Sequence, residues 1–509
     1  MKVRTIAILG GGTAGWLAAN HLGAELAGDA DIEITLIESP DIATIGVGEG
    51  TVPYIMKSLK RFGISEADLL VKCDTTFKQG IKFVNWMDPG EHGENHYYHP
   101  FDAPYPSGYE VTPYWLTQVD LQPFDDVSIQ GRICELGLAP KKKSSGEYVG
   151  DLSYAYHFNA QKFASLLAEN AKSRFNVKHQ YATVTGGLLD DNGAIKALVT
   201  ENGQELAFDF YVDCSGFHSV LLDKVLKVPF VDKGQQLLTD SVMVQQVPLK
   251  EGEALAPYTT ATAHKAGWIW DIPLTTRRGT GFVYCSKYMS DDEAHTLFAQ
   301  YLGVDKTSIS PRKIPMQIGY RQEFWAKNCA TLGLAQGFVE PLEATSILVT
   351  DFSAELLAKN FPRETDDMDI VRPYYNKVLT YAWERVIDFI KLHYCLSDRQ
   401  DSGFWDDNRD SETWSDELKE RLAKFAIRPP QQSDFFTRFD LFDDKNFLYV
   451  LYGMKFKTKP KAITQAEIEQ SRKLMALNNK MVEAAPRHLL AHKDWLDGLK
   501  AVLAREGER

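Results

Sequence analysis

Apolar residues form short continuous runs in the first two thirds of the chain, and each run ends in a turn signal. Residues 3–9 are apolar and β-prone, and a glycine turn separates them from the Ala- and Leu-rich stretch 16–26. The runs 208–213 and 328–332 have the same character, and a glycine follows each of them closely. Short apolar runs bounded by turns are typical of strands buried within a sheet. The pattern predicts an α/β domain.

The chain changes character near residue 350. From there, apolar positions recur at the spacing of an amphipathic helix, and turn residues separate the helical stretches. These stretches are 353–361, 375–396, 416–427 and 465–509. The pattern predicts a mainly helical C-terminal region.

Three glycines stand between the first predicted strand and the first predicted helix, with the spacing found in dinucleotide-binding proteins. Gly10, Gly12 and Gly15 permit a tight turn, close approach of a pyrophosphate and close packing of helix on strand. Glu38 ends the next predicted strand, where a carboxylate accepts hydrogen bonds from a ribose hydroxyl. A glycine turn that only packs is the alternative. The strand, turn, helix and terminal acid together favour a dinucleotide site without a 2′-phosphate.

Composition narrows the class of protein. The 509 residues carry a net charge of −13, which argues against general binding to nucleic acid or to anionic membranes. No apolar run is long enough to cross a bilayer, and the N-terminal glycines belong to the nucleotide pattern, which argues against a signal peptide. The six cysteines are scattered without a paired motif, so we expect no disulfide framework and no metal site. We expect a cytoplasmic enzyme.

Three distant segments are expected to contact one long cofactor. They are the first glycine turn, the turn after the strand that ends at Asp213, and the turn at Gly333. The sequence contains no second glycine motif for a nicotinamide cofactor. This combination favours a Rossmann-like FAD-binding domain of the flavin monooxygenase type, whose flavin is reduced by another protein.

Several motifs then narrow the assignment. They are GGGTAGW at 10–16, GVGEGTVP at 46–53, TFKQGIKF at 76–83, HYYHPF at 96–101, GWIWDIP at 267–273 and FVEPLEATSI at 338–347. Together they resemble the flavin-dependent halogenase family, of the tryptophan or indole halogenase type. The glycine motif is common to many flavoproteins, whereas the paired tryptophans together with a lysine at 78 are far more restrictive.

The resemblance implies a two-component enzyme. A separate flavin reductase supplies FADH2, and O2 and a halide, bromide or chloride, then yield hypohalous acid. The acid travels through an internal tunnel to a lysine beside an indole-like aromatic substrate, which is halogenated electrophilically. The resemblance also implies the fold: an FAD-binding domain at 1–350 with inserted substrate-facing β-rich segments near 75–150 and 235–325, and a helical substrate-binding cap at 351–509. We also expect a homodimer.

Lys78 and Glu343 are the catalytic residues that the resemblance implies. As an ammonium, Lys78 polarises hypohalous acid, and as a neutral amine it forms an N-haloamine; the sequence leaves both open. Glu343 stabilises the arenium cation or takes its proton. The alternatives are an exposed lysine, like nearby Lys82, and a glutamate in the first turn of a helix. Glu340 is the rival carboxylate.

The remaining site residues follow from the same motif match. The expected FAD contacts are Gly10, Gly12, Thr13, Ala14, Gly15, Glu38, Gly48, Val184, Asp213, Gly333 and Leu342. Residues 46–53 resemble the strap that covers the flavin. The halide is expected at Thr345 and Ser346; relatives more often read Ser-Thr-Gly where this chain reads Ala-Thr-Ser from Ala344, which leaves the halide preference open.

The substrate ring is expected to contact aromatic and imidazole side chains. These residues are His99, Phe101, Trp405, Phe447 and Tyr449. Trp268, Trp270, Ile272 and Pro273 are expected to form the tunnel wall that keeps the substrate away from the flavin. Trp268 and Trp270 fall on the same side of a strand, so a purely structural core is the alternative.

Two other functions stay open on the sequence alone. One is a flavin-dependent aromatic monooxygenase, and the other is a non-catalytic flavin-binding or redox-sensing protein. Lys78, Glu343 and the paired tryptophans favour the halogenase. A hydroxylase needs its substrate beside the flavin and has no use for a distant lysine, and a binding protein needs none of these residues.

Overall fold

The computed structural model describes residues 1–41, 48–119, 122–250 and 252–507. Its strands are, in chain order, β1 (Thr5–Leu9), β2 (Glu33–Glu38), β3 (Gly48–Gly50), β4 (Thr76–Lys78), β5 (Gly80–Val84), β6 (His96–Pro100), β7 (Ala155–Asn159), β8 (Lys178–Tyr181), β9 (Val184–Leu189), β10 (Ile195–Thr200), β11 (Glu205–Leu206), β12 (Phe210–Asp213), β13 (Phe230–Asp232), β14 (Ser241–Pro248), β15 (Thr259–His264), β16 (Gly267–Pro273), β17 (Arg277–Tyr284), β18 (Arg312–Pro315), β19 (Gly319–Arg321), β20 (Trp325–Ala326), β21 (Cys329–Thr331) and β22 (Gly337–Phe338).

The α-helices alternate with these strands at first and dominate after β22. They are α1 (Thr13–Leu26), α2 (Ile55–Phe62), α3 (Glu66–Lys72), α4 (Pro89–His92), α5 (Thr112–Trp115), α6 (Gln130–Glu135), α7 (Ala160–Phe175), α8 (Asp291–Leu302), α9 (Thr345–Lys359), α10 (Met368–Leu396), α11 (Gly403–Arg409), α12 (Asp416–Phe425), α13 (Asp444–Gly453), α14 (Gln465–Ala484) and α15 (His492–Gly507).

The predicted buried strands join in one six-stranded sheet, in the order β20-β21-β12-β1-β2-β8. All its pairs are parallel except β20 with β21. Helix α1 packs on β1 and β2, and α7 and α9 flank it. The parallel strands therefore end at one edge of the sheet, which is where open α/β sheets bind their ligands.

A second, mostly antiparallel sheet carries the tryptophan motif. Its order is β18-β14-β17-β16-β15-β5-β6, so β16 lies near its centre and β6 lies at its edge. The small sheet β3-β7-β4 contacts β16 and β17 through β3. Its strand β4 ends at Lys78, which pairs with Ala155 of β7. The lysine therefore ends a strand of the small sheet that packs on the second sheet.

The predicted α/β class and the helical C-terminal region are confirmed. Helix α9 runs across residue 350, and the domain division there stays a prediction. The segment 75–150 is only partly β-rich, because its strands end at Pro100 and short helices follow. Among the described residues, no helix combines the length and the apolar character needed to span a bilayer.

A buried polar cluster ties the first helix to α9. His21 Nε2 lies 2.7 Å from Asp351 Oδ1, and the Ser58 hydroxyl donates to Asp351 Oδ2 at 2.8 Å. All three side chains are buried. A buried carboxylate needs such partners because burial removes its hydration. The cluster therefore fixes α9 relative to the glycine turn at the start of α1.

We expect Asp351→Ala to lower the free energy of unfolding by about 3 kcal/mol, because it leaves His21 and Ser58 buried without their acceptor. Urea denaturation followed by tryptophan fluorescence measures this. Lys306→Ala breaks an exposed ion pair with Asp292 and is the control, with an expected change within about 0.5 kcal/mol. Equal effects of the two substitutions would contradict the role of the cluster.

Candidate functional site

A cavity of about 700 Å³ opens at the carboxyl edge of the parallel sheet. Most of the residues expected to contact the cofactor line it. They are Gly10, Gly12, Thr13, Ala14, Glu38, Gly48, Val184, Gly333 and Leu342. The three distant segments of the sequence thus meet around one elongated space.

The glycine turn has the shape that a dinucleotide requires. A Cβ on Gly11 would lie 2.0 Å from Cδ of Glu38, and one on Gly15 would lie 1.9 Å from the carbonyl oxygen of Gly10. No side chain caps the N-terminus of α1, and its first turn holds no acidic residue. Its N–H groups are therefore available to a phosphate. These features fit the adenine-dinucleotide part of FAD.

Two of the expected cofactor residues stand behind the cavity wall. Gly15 packs against the turn, and the Asp213 carboxylate accepts backbone N–H bonds from Ser215, Leu221 and Leu222 at 2.8–3.0 Å. Asp213 thereby shapes the 214–218 loop, which lines the cavity. No motif pointed to His179, whose Nε2 lies 2.9 Å from Glu38 Oε2.

Lys78 lies in the wall of this cavity and is only 1% exposed. Its Nζ has no hydrogen-bond partner within the described ranges, and it lies 5.4 Å from the centre of the Phe101 ring. Burial lowers the pKa of Lys78 to about 7, against an opposing effect of Glu343. Lys82, by contrast, pairs with Glu135. The exposed-lysine alternative is thus wrong for Lys78.

A second cavity, of about 510 Å³, lies on the far side of Phe101. The cavity is lined by His99, Phe101, Glu343 and Tyr449, together with Phe439 and Phe442. The Tyr449 hydroxyl donates to the carbonyl oxygen of Asp102 at 2.8 Å, which fixes its ring. Its aromatic side chains suit an aromatic ligand. The rest of the lining includes charged side chains, namely Lys57, Glu355, Lys359 and Arg438.

Glu343 is the buried carboxylate of the second cavity. Its Oε1 accepts from His99 Nδ1 at 2.8 Å and from His393 Nε2 at 2.9 Å. Burial by itself raises the pKa of Glu343, but the two imidazoles outweigh that effect and lower it to about 2. Glu343 is therefore ionised. His393 was not predicted, because it is 50 residues away on α10 and belongs to no local motif.

One short segment separates the two cavities. Pro341, Leu342, Ala344 and Ser346 line the first cavity, whereas Glu343 lines the second. The chain reverses here because Ala344 adopts a left-handed conformation, with φ of 56°. Helix α9 begins only after it, so the alternative of Glu343 as a first-turn helix residue is wrong.

The expected halide residues begin this helix. Thr345 and Ser346 are its first two residues, so their N–H groups have no partner within the helix. The Thr345 hydroxyl donates to the carbonyl oxygen of Glu340 at 3.2 Å, which leaves the backbone as its anion-binding group. Ser346 faces the first cavity. A monovalent anion is stabilised at such a helix terminus.

The tryptophan strand closes one side of the first cavity. Trp270 and Ile272 line it, and Trp268 lies behind them with its Nε1 donating to Glu340 Oε2 at 2.7 Å. The carbonyl oxygen of Pro273 accepts from the Thr76 hydroxyl at 2.7 Å, which joins this strand to β4. Burial raises the pKa of Glu340 to about 7. Glu340 is not among the described residues that line either cavity. Its contact with Trp268 places it inside the wall.

Two expected substrate contacts are not brought to the second cavity. Trp405 is fully buried among other side chains, with Trp86 5.9 Å away between ring centres. Phe447 packs on Phe389 and two further phenylalanines. It lies two residues before Tyr449 on α13, about 200° around the helix, so the two rings point in opposite directions.

The strap motif is only partly described. Gly46 and Val47 lie outside the described residues, and Gly48 is the first residue of the motif that the structure describes. From Gly48 to Gly50 the chain forms β3, and all three of its residues line the first cavity. This segment therefore borders the space that fits FAD.

Comparison with known proteins agrees with this arrangement. The family model described as tryptophan halogenase matches residues 5–469. The tryptophan 6-halogenase SttH of Streptomyces toxytricini is 34% identical over 472 residues, 88% of each chain. The crystal structure of a tryptophan halogenase from Shewanella frigidimarina is 37% identical, covers 98% of both chains and has a TM-score of 0.93. BrvH, a flavin-dependent halogenase from Brevundimonas sp. BAL3, is 31% identical and covers 98% of this chain and 99% of its own, with a TM-score of 0.86. The chain therefore belongs to the tryptophan halogenase family and is a flavin-dependent halogenase.

Proposed function

We propose that this enzyme halogenates an indole-like aromatic substrate with FADH2 from a separate flavin reductase, O2, and chloride or bromide. One observation carries the proposal. Lys78, buried and without a partner among the described side chains, lies in the wall of the cofactor cavity and next to Phe101 of the second cavity. Glu343 faces the second cavity from the segment 341–346, which separates the two cavities.

FAD fits the first cavity, where the glycine turn, Glu38 and the N-terminus of α1 would hold its dinucleotide part. Bound there in its reduced form, the cofactor would supply the electrons with which O2 oxidises a halide to hypohalous acid, and the N-terminus of α9 would hold that halide. Trp270 and Ile272 keep the aromatic substrate out of this cavity. The first cavity is thus assigned to oxidation of the halide, and the second to the substrate.

Lys78 and Glu343 then divide the substitution between them. The Lys78 ammonium donates a hydrogen bond to the oxygen of hypohalous acid and polarises the oxygen–halogen bond. The ring attacks the halogen, and the hydroxide leaves as water with the proton from Lys78. Glu343 stabilises the arenium cation, takes the ring proton and returns it to Lys78. Arene and hypohalous acid become halogenated arene and water.

The substrate class follows from the second cavity and from the relatives. Tyr449, Phe101 and His99 present flat faces to an aromatic ring. Relatives such as SttH are named for tryptophan, which contains an indole. We propose an indole-like substrate, and the choice between chloride and bromide stays open. The homodimer and the cytoplasmic location stay predictions.

We expect Lys78→Met to lower the yield of halogenated arene at least 100-fold, because the side chain keeps its length and loses its hydrogen-bond donor. The assay contains a flavin reductase, O2, indole and bromide, and mass spectrometry quantifies the product. FAD affinity should stay unchanged. Lys82→Met is the matched control, since this partly buried lysine pairs with Glu135 and lines neither cavity, and it should keep wild-type yield. Hydroxylated indole that needs neither halide nor Lys78 would contradict the proposal.

We expect the halogenation step to slow by about tenfold per pH unit above about pH 7, because burial lowers the pKa of Lys78 to about 7 and the ammonium is the active form. Glu343, with a pKa of about 2, stays ionised throughout. Single-turnover measurements that follow arene halogenation separately from flavin oxidation give this rate. Lys78→Arg stays charged and should lose the decline. A rate that rises through this pH range would support an N-haloamine instead.

A further inference from the structure

His99 is hydrogen-bonded at both ring nitrogens. Its Nδ1 lies 2.8 Å from Glu343 Oε1, and its Nε2 lies 3.0 Å from Asn446 Nδ2. Phe389 and Tyr449 flank the ring, with centres 6.0 and 5.9 Å away. His99 is only 4% exposed. Its hydrogen-bonding partners therefore decide which nitrogen carries a proton.

The cap of helix α13 fixes the orientation of the Asn446 amide. The backbone N–H of Asp443 donates to Asn446 Oδ1 at 2.9 Å, as one half of a capping box. A backbone N–H can only donate, so the atom it meets is the amide oxygen. The NH2 group of Asn446 must then face His99. This assignment follows from the cap and needs no assumption about His99.

The protonation of His99 follows directly. Asn446 donates to Nε2, so this nitrogen carries a lone pair and no proton. The proton of the neutral ring is then on Nδ1, from which it is donated to Glu343 Oε1. Neither ring nitrogen of His99 is then available to hydrogen-bond with the substrate. The imidazole can contact the substrate only through its ring face.

His393 contacts the same oxygen, Glu343 Oε1, through its other type of ring nitrogen, Nε2. Its Nδ1 lies 3.0 Å from the carbonyl oxygen of Phe389, which can only accept, so Nδ1 carries a proton. Its Nε2 lies 2.9 Å from Glu343 Oε1, and this contact is a hydrogen bond only if a further proton lies between the two. The two imidazoles therefore differ at Oε1: His99 donates from a ring whose other nitrogen accepts, whereas both ring nitrogens of His393 face oxygen atoms.

We propose that Asn446 is a positioning residue that keeps His99 neutral, so that His99 donates to Glu343 Oε1 without adding a positive charge and Oε2 stays free for the substrate. Oε2 has no partner among the side chains that the structure describes. An imidazolium at His99 would withdraw negative charge from the carboxylate and weaken it as a base and as a partner for a cation. The catalytic part of this role rests on the proposed function, whereas the protonation state of His99 does not.

Asn446→Asp tests the proposal because it exchanges donor for acceptor with the same shape. One carboxylate oxygen still accepts from the N–H of Asp443, and the other replaces the NH2 group that faced His99. Nε2 must then gain a proton. Nitrogen-15 NMR of histidine-labelled, FAD-loaded resting enzyme at neutral pH reports the protonation of each ring, and His99→Gln identifies the His99 signals.

We expect the wild-type ring to have a proton on Nδ1 and none on Nε2, and the ring in Asn446→Asp to have protons on both. Asn202→Asp is the matched control. It adds the same charge on an exposed turn, where Asn202 acts only as an acceptor, and it should leave His99 unchanged. Asn446→Ala adds no charge and should shift the Nε2 resonance by removing its donor. A doubly protonated His99 in the wild type, or an unchanged signal in both Asn446 variants, would overturn the proposal.

Turnover gives the second measurement. We expect Asn446→Asp to lower kcat for arene halogenation about tenfold with little change in KM, because the substrate still meets the same ring face while Glu343 is weakened. A raised KM with an unchanged kcat would mean that Asn446 only shapes the cavity and would overturn the positioning role. The NMR result needs no turnover. If the enzyme carried out another reaction, the proposed function would fail while the protonation of His99 could still be decided.

Discussion

The two imidazole hydrogen bonds to Glu343 are the interaction on which the rest of the site depends. A carboxylate buried this deeply without partners would bind a proton, and a neutral Glu343 could neither stabilise a cation nor oppose the loss of charge from Lys78. His99 and His393 come from β6 and α10, so the ionised state of Glu343 requires the edge of the second sheet and the helical region to meet correctly. The polar cluster around Asp351 holds α9, which begins two residues after Glu343, against the first helix.

The segment that separates the two cavities determines where the Glu343 carboxylate lies. The segment 341–346 turns at Ala344, so that Glu343 faces the second cavity while Leu342 and Ala344 face the first, and the N-terminus of α9 borders the cofactor side. Trp270 closes the same cavity from β16, and Trp268 is held by Glu340, the residue before this segment. In the proposed reaction, this construction makes halide oxidation and ring substitution occur in separate spaces. Lys78 is the residue placed to connect them.

The sequence predicted those features whose physical cause is local. The glycine turn, Glu38 and the buried strands were predicted because each depends on neighbouring residues, and the motif match placed Lys78 and Glu343. Trp405 and Phe447 were wrong as cavity residues, because a match to a local motif does not reveal which side of a helix faces a cavity. His393 and Asn446 were missed for a related reason: their partners are 50 and 347 residues away, and an isolated histidine or asparagine in a helix has no spacing that marks it.

The most direct test of the proposed division of labour is a double measurement on Glu343→Gln. One reaction mixture is analysed for halogenated arene and for hypohalous acid captured by an added scavenger. We expect hypohalous acid to form at the wild-type rate while arene halogenation falls about 100-fold, because only the second cavity loses its charge. Glu340→Gln, which can still accept from Trp268, should keep both rates. Parallel loss of hypohalous acid and halogenated arene in Glu343→Gln would contradict a separation between the two cavities.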